Sequence, residues 1–250
     1  VEAMKLEGCS DKEAFSRFYV VDQKGLLQTQ GSWDEAQGDF VQDSGVCKDW
    51  SVSNPSEISL LEVVKSVKPA ILIGVSTQKG AFTREVIETM ARSCQKPLIL
   101  PLSNPNDRCE AHPEDIIEWT GAKALLATGS PFPPVEYKHK LYPVAQCNNV
   151  YIFPGVGLAA VSFGLKKLTD KMFIAAASEL SRHSPMLQDP EAPLFPSFKS
   201  LREISKEVAL AIAGVAQQEG QIPTFSDAQM REVLEANVWI PTYPTVKRKA

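Results

Sequence analysis

Residues 97–105 read PLILPLSNP. A short apolar run bounded by prolines breaks into a Ser-Asn-Pro turn, the pattern of a buried strand that ends abruptly. Four other runs have the same form: FYVVD (18–22), AILIGVS (70–76), ALLATGSP (124–131) and NVYIFPG (149–155). Continuous apolar runs suit strands covered on both faces, as in a parallel sheet. Amphipathic stretches separate them. SEISLLEVVKSV (56–67), TREVIETMARSC (83–94) and PEDIIEWT (113–120) carry apolar residues at helical spacing, the last with proline in its first turn. Alternation of strand and helix predicts an α/β fold: a doubly wound, mostly parallel, Rossmann-like sheet.

Beyond Phe153 the pattern changes. GVGLAAVSFGLKKL and DKMFIAAASELSRH read as helices, and HSPMLQDPEAPLFPSF (183–198), with four prolines, as a loop. SLREISKEVALAIAGVAQQEG (200–220) reads as the longest helix, with Ser200 as N-cap, Glu203 completing a capping box and Gly220 as stop. The last 30 residues read as an irregular arm. The domain expectation is a nucleotide-binding domain over 1–180, with a C-terminal helix and arm over 181–250 packed on it.

Composition narrows the classes. Hydrophobic residues are 44% and charged residues 22% of 250, as in a globular protein. A net charge of -4 argues against a nucleic-acid or anionic-membrane binder. The terminal KRKA reads as a solvated tail. No apolar run reaches the roughly 18 residues that span a bilayer. Val1 to Gly8 reads as helix rather than signal peptide. Five scattered cysteines, none in CxxC, fit reduced thiols inside a cell, and the three histidines lack metal spacing.

Ligands of open α/β sheets bind at the carboxyl ends of the strands. Those ends here are Asp22, GVST (74–77), SNP (103–105), TGSP (128–131) and the amides at the head of NVYIFPG. Most offer small neutral hydrogen-bonding groups, and no pair of ionisable residues converges. Asp22 has two readings: the ribose-binding acid of a dinucleotide fold, or the start of a DQKG turn. The ribose reading needs a glycine-rich loop about 20 residues upstream, and none is present, so the first strand and its phosphate loop are expected before Val1. GVGLAA (155–160) matches a G-x-G-x-x-A pattern but has no acid-ended strand after it. It reads as a tight strand-to-helix turn with close helix packing.

VVDQKGLL (20–27), IGVSTQKGAFTREVIETMA (73–91), PLSNP (101–105), ALLATGSPFPPVEY (124–137) and CNNVYIFPGVGLAAVSFG (147–164) together resemble the NAD(P)-binding domain of the malic enzyme family. The resemblance implies oxidative decarboxylation of L-malate to pyruvate and CO2 with NAD or NADP and Mg2+ or Mn2+. It implies Asn104 and one of the neighbouring amides, Asn148 or Asn149, as substrate-binding residues, with Asn148 favoured and Asn149 in support. An amide donates to a carboxylate without adding charge. It further implies cofactor contacts from Asp22, Gly74, Val75, Ser76 and Asn104. Gln37 falls near a position where a lysine favours NADP, so NAD is favoured here. Cys147 stands where the family has glycine. The family's catalytic Tyr and Lys, its acidic metal ligands and its malate-binding Arg precede the matched region. The chain is therefore expected to be the C-terminal part of a malic enzyme, inactive alone, with no catalytic or metal residue of its own. The resemblance also implies a homo-oligomer, in cytoplasm or mitochondrion, with no nucleic-acid or membrane partner. The alternative is a non-catalytic nucleotide-binding or structural module.

Overall fold

The computed structural model describes residues 1–241. The KRKA tail and Tyr243 lie outside them. Two short helices open the chain, α1 (Glu2–Leu6) and α2 (Asp11–Ser16). FYVVD does not supply a parallel strand. Only β1 (Val21–Asp22) forms, paired antiparallel with β2 (Gly25–Leu26). The reason is local: Asp22 Oδ1 accepts from Lys24 N at 2.7 Å, so the chain reverses at once.

Next come α3 (Leu60–Val67), β3 (Ile71–Gly74), α4 (Arg84–Ser93), β4 (Leu98–Pro101), α5 (Pro113–Thr120) and β5 (Leu125–Thr128). A hairpin, β6 (Val135–Tyr137) and β7 (Lys140–Tyr142), precedes β8 (Ala145–Gln146). The sheet is parallel, in the order β3-β4-β5-β8. Ser59 and Thr83 cap α3 and α4 by accepting from the N–H groups of Glu62 and Val86. These helices and α5 bury Val64, Val86, Ile87, Met90 and Ile116 against Leu72 and Ile99 of the sheet. Each such side chain, fully buried, contributes about 1.5–3 kcal/mol. Coverage on both faces does not hold for β3: Leu72 is buried, while Ile71 and Ile73 are each 55% exposed.

NVYIFPG is not a strand. Asn149–Tyr151 is a 3-10 turn, and α6 (Phe153–Phe163) starts two residues later. The parallel strand is β8, just upstream. Pro154 sits in the first turn of α6, where its missing N–H has no partner to lose. The other helices are α7 (Asp170–Arg182), α8 (Leu201–Gln218) and α9 (Asp227–Asn237). Ser200 does not cap α8: it is itself helical, ends a 3-10 turn and makes no side-chain cap bond. The arm expected at the C-terminus contains α9, opened by a complete Ser226–Gln229 capping box.

The chain divides into two compact units. One comprises Val1–Asn148 with Ser184–Pro196, the other Asn149–His183 with the described residues from Ser197 onward. The chain thus passes between them at 148/149, 183/184 and 196/197. The core of the second unit is an apolar stripe on α8, Ile204, Val208 and Ile212, meeting Ala159, Met172, Ala176, Met230 and Leu234. No helix among the described residues is long and apolar enough to cross a membrane.

Candidate functional site

The loops leaving β3, β4 and β5, with Cys147 and Asn148 after β8, belong to the first unit and emerge at one end of the parallel sheet. They are stitched to one another. Leu102 N donates to the Gly74 carbonyl at 2.8 Å, and Gly129 N to the Pro101 carbonyl at 3.3 Å. Cys147 N donates to the Thr128 carbonyl at 2.8 Å. Gln146 Nε2 donates to the Gly129 carbonyl at 3.0 Å. The loop after β5 lies directly on the loop after β4. A Cβ at Gly129 would stand 2.0 Å from the Leu102 carbonyl oxygen.

The Ser-Asn-Pro turn carries a cis Asn104–Pro105 peptide. Asn104 is exposed, and its Oδ1 accepts from the Ser130 hydroxyl. With the oxygen engaged, the NH2 end of this amide is the donor it offers. Beside it, Asn106 Nδ2 donates to the Pro131 carbonyl at 3.0 Å. Asn148, half-buried, follows β8 and ends the first stretch of the first unit, while Asn149, exposed, opens the second unit.

The structure thus brings Gly74, Val75, Ser76, Asn104 and Asn148 to one end of one sheet. Val75 is 76% exposed there, an apolar surface among polar ones. Asp22 and Gln37 lie outside the sheet. Asp22 occupies the β1–β2 turn. Gln37 is in the 3-10 turn Glu35–Phe40, where its side chain accepts from Asp34 N at 3.1 Å in a capping box. Neither Gly155 nor Gly157 lies at a strand-to-helix turn. Both are inside α6, and a Cβ at Gly155 would stand 2.6 Å from Val208 Cγ1, so close helix packing accounts for the first of them.

Sequence reasoning passed over one residue. Glu110 is completely buried beneath the loops after β3 and β4. Its Oε1 accepts from Ser76 N and Ser76 Oγ, both at 2.8 Å, and from Ser103 Oγ at 2.5 Å. Its Oε2 accepts from Ser103 N at 3.4 Å. Burial pushes its carboxyl up, but the bonds from Ser103 and Ser76 outweigh that and hold it below the usual range. Its setting, RCEAHPED, reads as a polar loop. Nothing local in that loop points to burial, since its partners Ser103 and Ser76 lie seven and 34 positions away. Burial also pushes the Cys147 thiol up, so it stays neutral.

Concave regions occur elsewhere. One of about 330 Å³ is lined by Leu210, Gln217 and Arg231, and one of about 760 Å³ by Trp50, Ser53 and Glu62. Neither includes a residue of the strand ends. Among the described residues, no group of three or more His, Cys, Asp or Glu side chains is placed to hold a metal ion.

The family model for "Malic enzyme, NAD binding domain" matches residues 1–217. The chain is 47% identical over 249 residues to the NAD-dependent malic enzyme of Photorhabdus laumondii, covering 99% of this chain and 44% of that protein. The NAD-dependent malic enzyme of Proteus mirabilis is 46% identical over the same shares. The chain therefore spans less than half the length of the curated relatives it matches. In fold it is similar to the malic enzyme of Entamoeba histolytica, with TM-score 0.64 and 23% identity over 86% of this chain and 40% of that one. The malic enzyme of Pyrococcus horikoshii Ot3 gives TM-score 0.57 and 23% identity, over 84% of this chain and 43% of that one.

Proposed function

The chain belongs to the malic enzyme family, and from that premise we propose that it supplies the cofactor side of a site converting L-malate to pyruvate and CO2. NAD, when bound, serves as hydride acceptor. The carrying observation is the Asn104 amide, whose oxygen is held by Ser130 and whose NH2 is thereby left to donate to a carboxylate. Asn148 joins it on the substrate, with Asn149 in support. The neutral donors of the strand ends and the exposed Val75 fit a polar ligand with flat rings. Gly74, Val75 and Ser76 lie along the cofactor, Asn104 touches both ligands, and Asp22 accepts from the adenosine ribose. Gln37 stands among Asp34, Glu35 and Asp39, a setting that repels the extra phosphate of NADP and favours NAD.

Mg2+ or Mn2+ belongs to this reading, with ligands outside this chain. Among the described residues no cluster of three or more His, Cys, Asp or Glu side chains fits a metal. The acid–base residues are likewise placed outside, and the 250 residues alone are expected to form no pyruvate. Homo-oligomeric assembly is part of the same reading, checked by light scattering. A cytoplasmic address is proposed over a mitochondrial one, because the close relatives named above are bacterial.

The test is malate-dependent NADH formation by the intact natural protein, with pyruvate measured in step. Asn104→Ala and Asn148→Ala are each expected to raise KM for malate about 10- to 100-fold, the loss of one hydrogen bond to a charged group. An unchanged KM in both removes the substrate assignment. NADH binding without turnover would favour a non-catalytic nucleotide-binding module.

A further inference from the structure

We infer that Glu110 is a positioning residue that locks the cofactor loop after β3 to the substrate loop after β4. The inference rests on the assignment of those loops in the proposed function. One carboxylate receives four donors, two from Ser76 and two from Ser103, the latter adjacent to Asn104. Ser103 Oγ extends the lock by accepting from Thr77 N at 2.8 Å. Every donor is neutral, and among the described residues Glu110 has no Lys, Arg or His partner within ion-pair distance. Taking a lone carboxylate out of water costs several kcal/mol. A fold that needed only packing there would be served by an apolar side chain of the same volume. The donors instead converge from two loops that also bond directly, Leu102 N to the Gly74 carbonyl and Thr77 N to Ser103 Oγ, and the carboxylate adds four further bonds to that seam.

The surroundings are shaped around this group. A Cβ at Gly74 would stand 2.5 Å from Glu110 Cδ and 2.7 Å from the Phe82 ring. The Glu110 carbonyl accepts from Phe82 N at 3.1 Å, which fixes the segment leading into α4. Glu110 touches neither ligand in this reading. It acts through Ser76 on the cofactor and through Ser103 and Asn104 on malate.

The experiment compares Glu110→Ala and Glu110→Gln in the intact protein, with Ile116→Ala as a stability control. Ile116 is buried in α5, and its apolar side chain, unlike that of Glu110, makes no hydrogen bond to either loop. Glu110→Ala is expected to raise KM for both NAD and malate about 10- to 100-fold while kcat changes less, since it removes charge-assisted hydrogen bonds. Glu110→Gln retains an acceptor for Ser76 and Ser103 Oγ but turns an NH2 toward Ser103 N, so it restores part of the loss. Hydrogen exchange at Ser76, Thr77 and Ser103 accelerates in both variants, and in Ile116→Ala it does not. Unchanged KM values with accelerated exchange would reduce Glu110 to a purely structural role and overturn the inference. So would equal KM shifts in Ile116→Ala. If the wild-type protein turns over no malate, the proposed function fails separately, and NADH affinity decides for Glu110. A dissociation constant raised tenfold or more in Glu110→Ala supports the lock. An unchanged one, or no NADH binding by wild type, overturns it.

Discussion

At Gly129, in the loop after β5, an added Cβ would lie 2.0 Å from a backbone carbonyl oxygen; at Gly157, inside α6, it would meet nothing within 4 Å. The first unit brings loop backbones together until no side chain fits between them. The second is built from helices whose spacing is set by an apolar stripe, and a glycine on an open face there only weakens the helix. The same residue type therefore reports a close approach at Gly129 and at Gly155, and an open helix face at Gly157. Motif matching across GVGLAA cannot tell these apart, whereas contact distance can.

Substitutions can break this contrast. Gly129→Ala carries the largest expected effect, upwards of about 3 kcal/mol of destabilisation, because the clash is with backbone and not with a side chain that can rotate. A loss under about 1 kcal/mol in urea unfolding would mean that the loops give way easily. Ile212→Ala probes the other unit, and emptying the fully buried α8 position should cost about 3 kcal/mol. Ser59→Ala removes the N-cap of α3 and should cost about 1 kcal/mol. It also tests a pH effect. The hydroxyl of Ser59 and the backbone N–H groups of Ser53 and Ser59 lower the Glu62 carboxyl to about 2. A depressed carboxylate stabilises the fold fully above its unfolded value, near pH 4.5, and loses that contribution as pH falls through about 2. The stability difference between wild type and Glu62→Gln should therefore shrink across that window. Gly157→Ala has the smallest effect and the opposite sign, a gain of about 0.5–1 kcal/mol. A loss would show that the open face of α6 is occupied in the intact protein.

The parallel sheet was legible because AILIGVS, PLILPLSNP and ALLATGSP each contain a strand, the last two running on by four and three residues into the following turn, and PEDIIEWT coincides with α5. Their apolar runs are short, bounded by breakers and separated by helical periodicity, so several signals agree. NVYIFPG failed for want of that agreement. Four apolar residues before a proline suit a strand end or the first turn of a helix equally well, and tertiary packing chose the helix. α9 was hidden by the prolines around it, although Ser226 and Gln229 stand at capping-box spacing. Of the candidate site, the neutral residues at the strand ends were readable because turn chemistry is local. Glu110 was not, since its partners lie seven and 34 positions away and only the folded chain brings them together.

The interleaving of the two units has a consequence for the order of synthesis. The first unit closes with Ser184–Pro196, and Lys140 reaches across to Glu191 at 2.8 Å within it. A ribosome making this chain from its N-terminus must release α6 and α7 before that closing piece emerges. The four strands of the parallel sheet are then already made, β8 ending at Gln146, while the segment that carries Glu191 is not, and helices of the other unit are outside the exit tunnel before it. Cutting the gene after Asn148 would keep every strand of that sheet and remove the partner of Lys140.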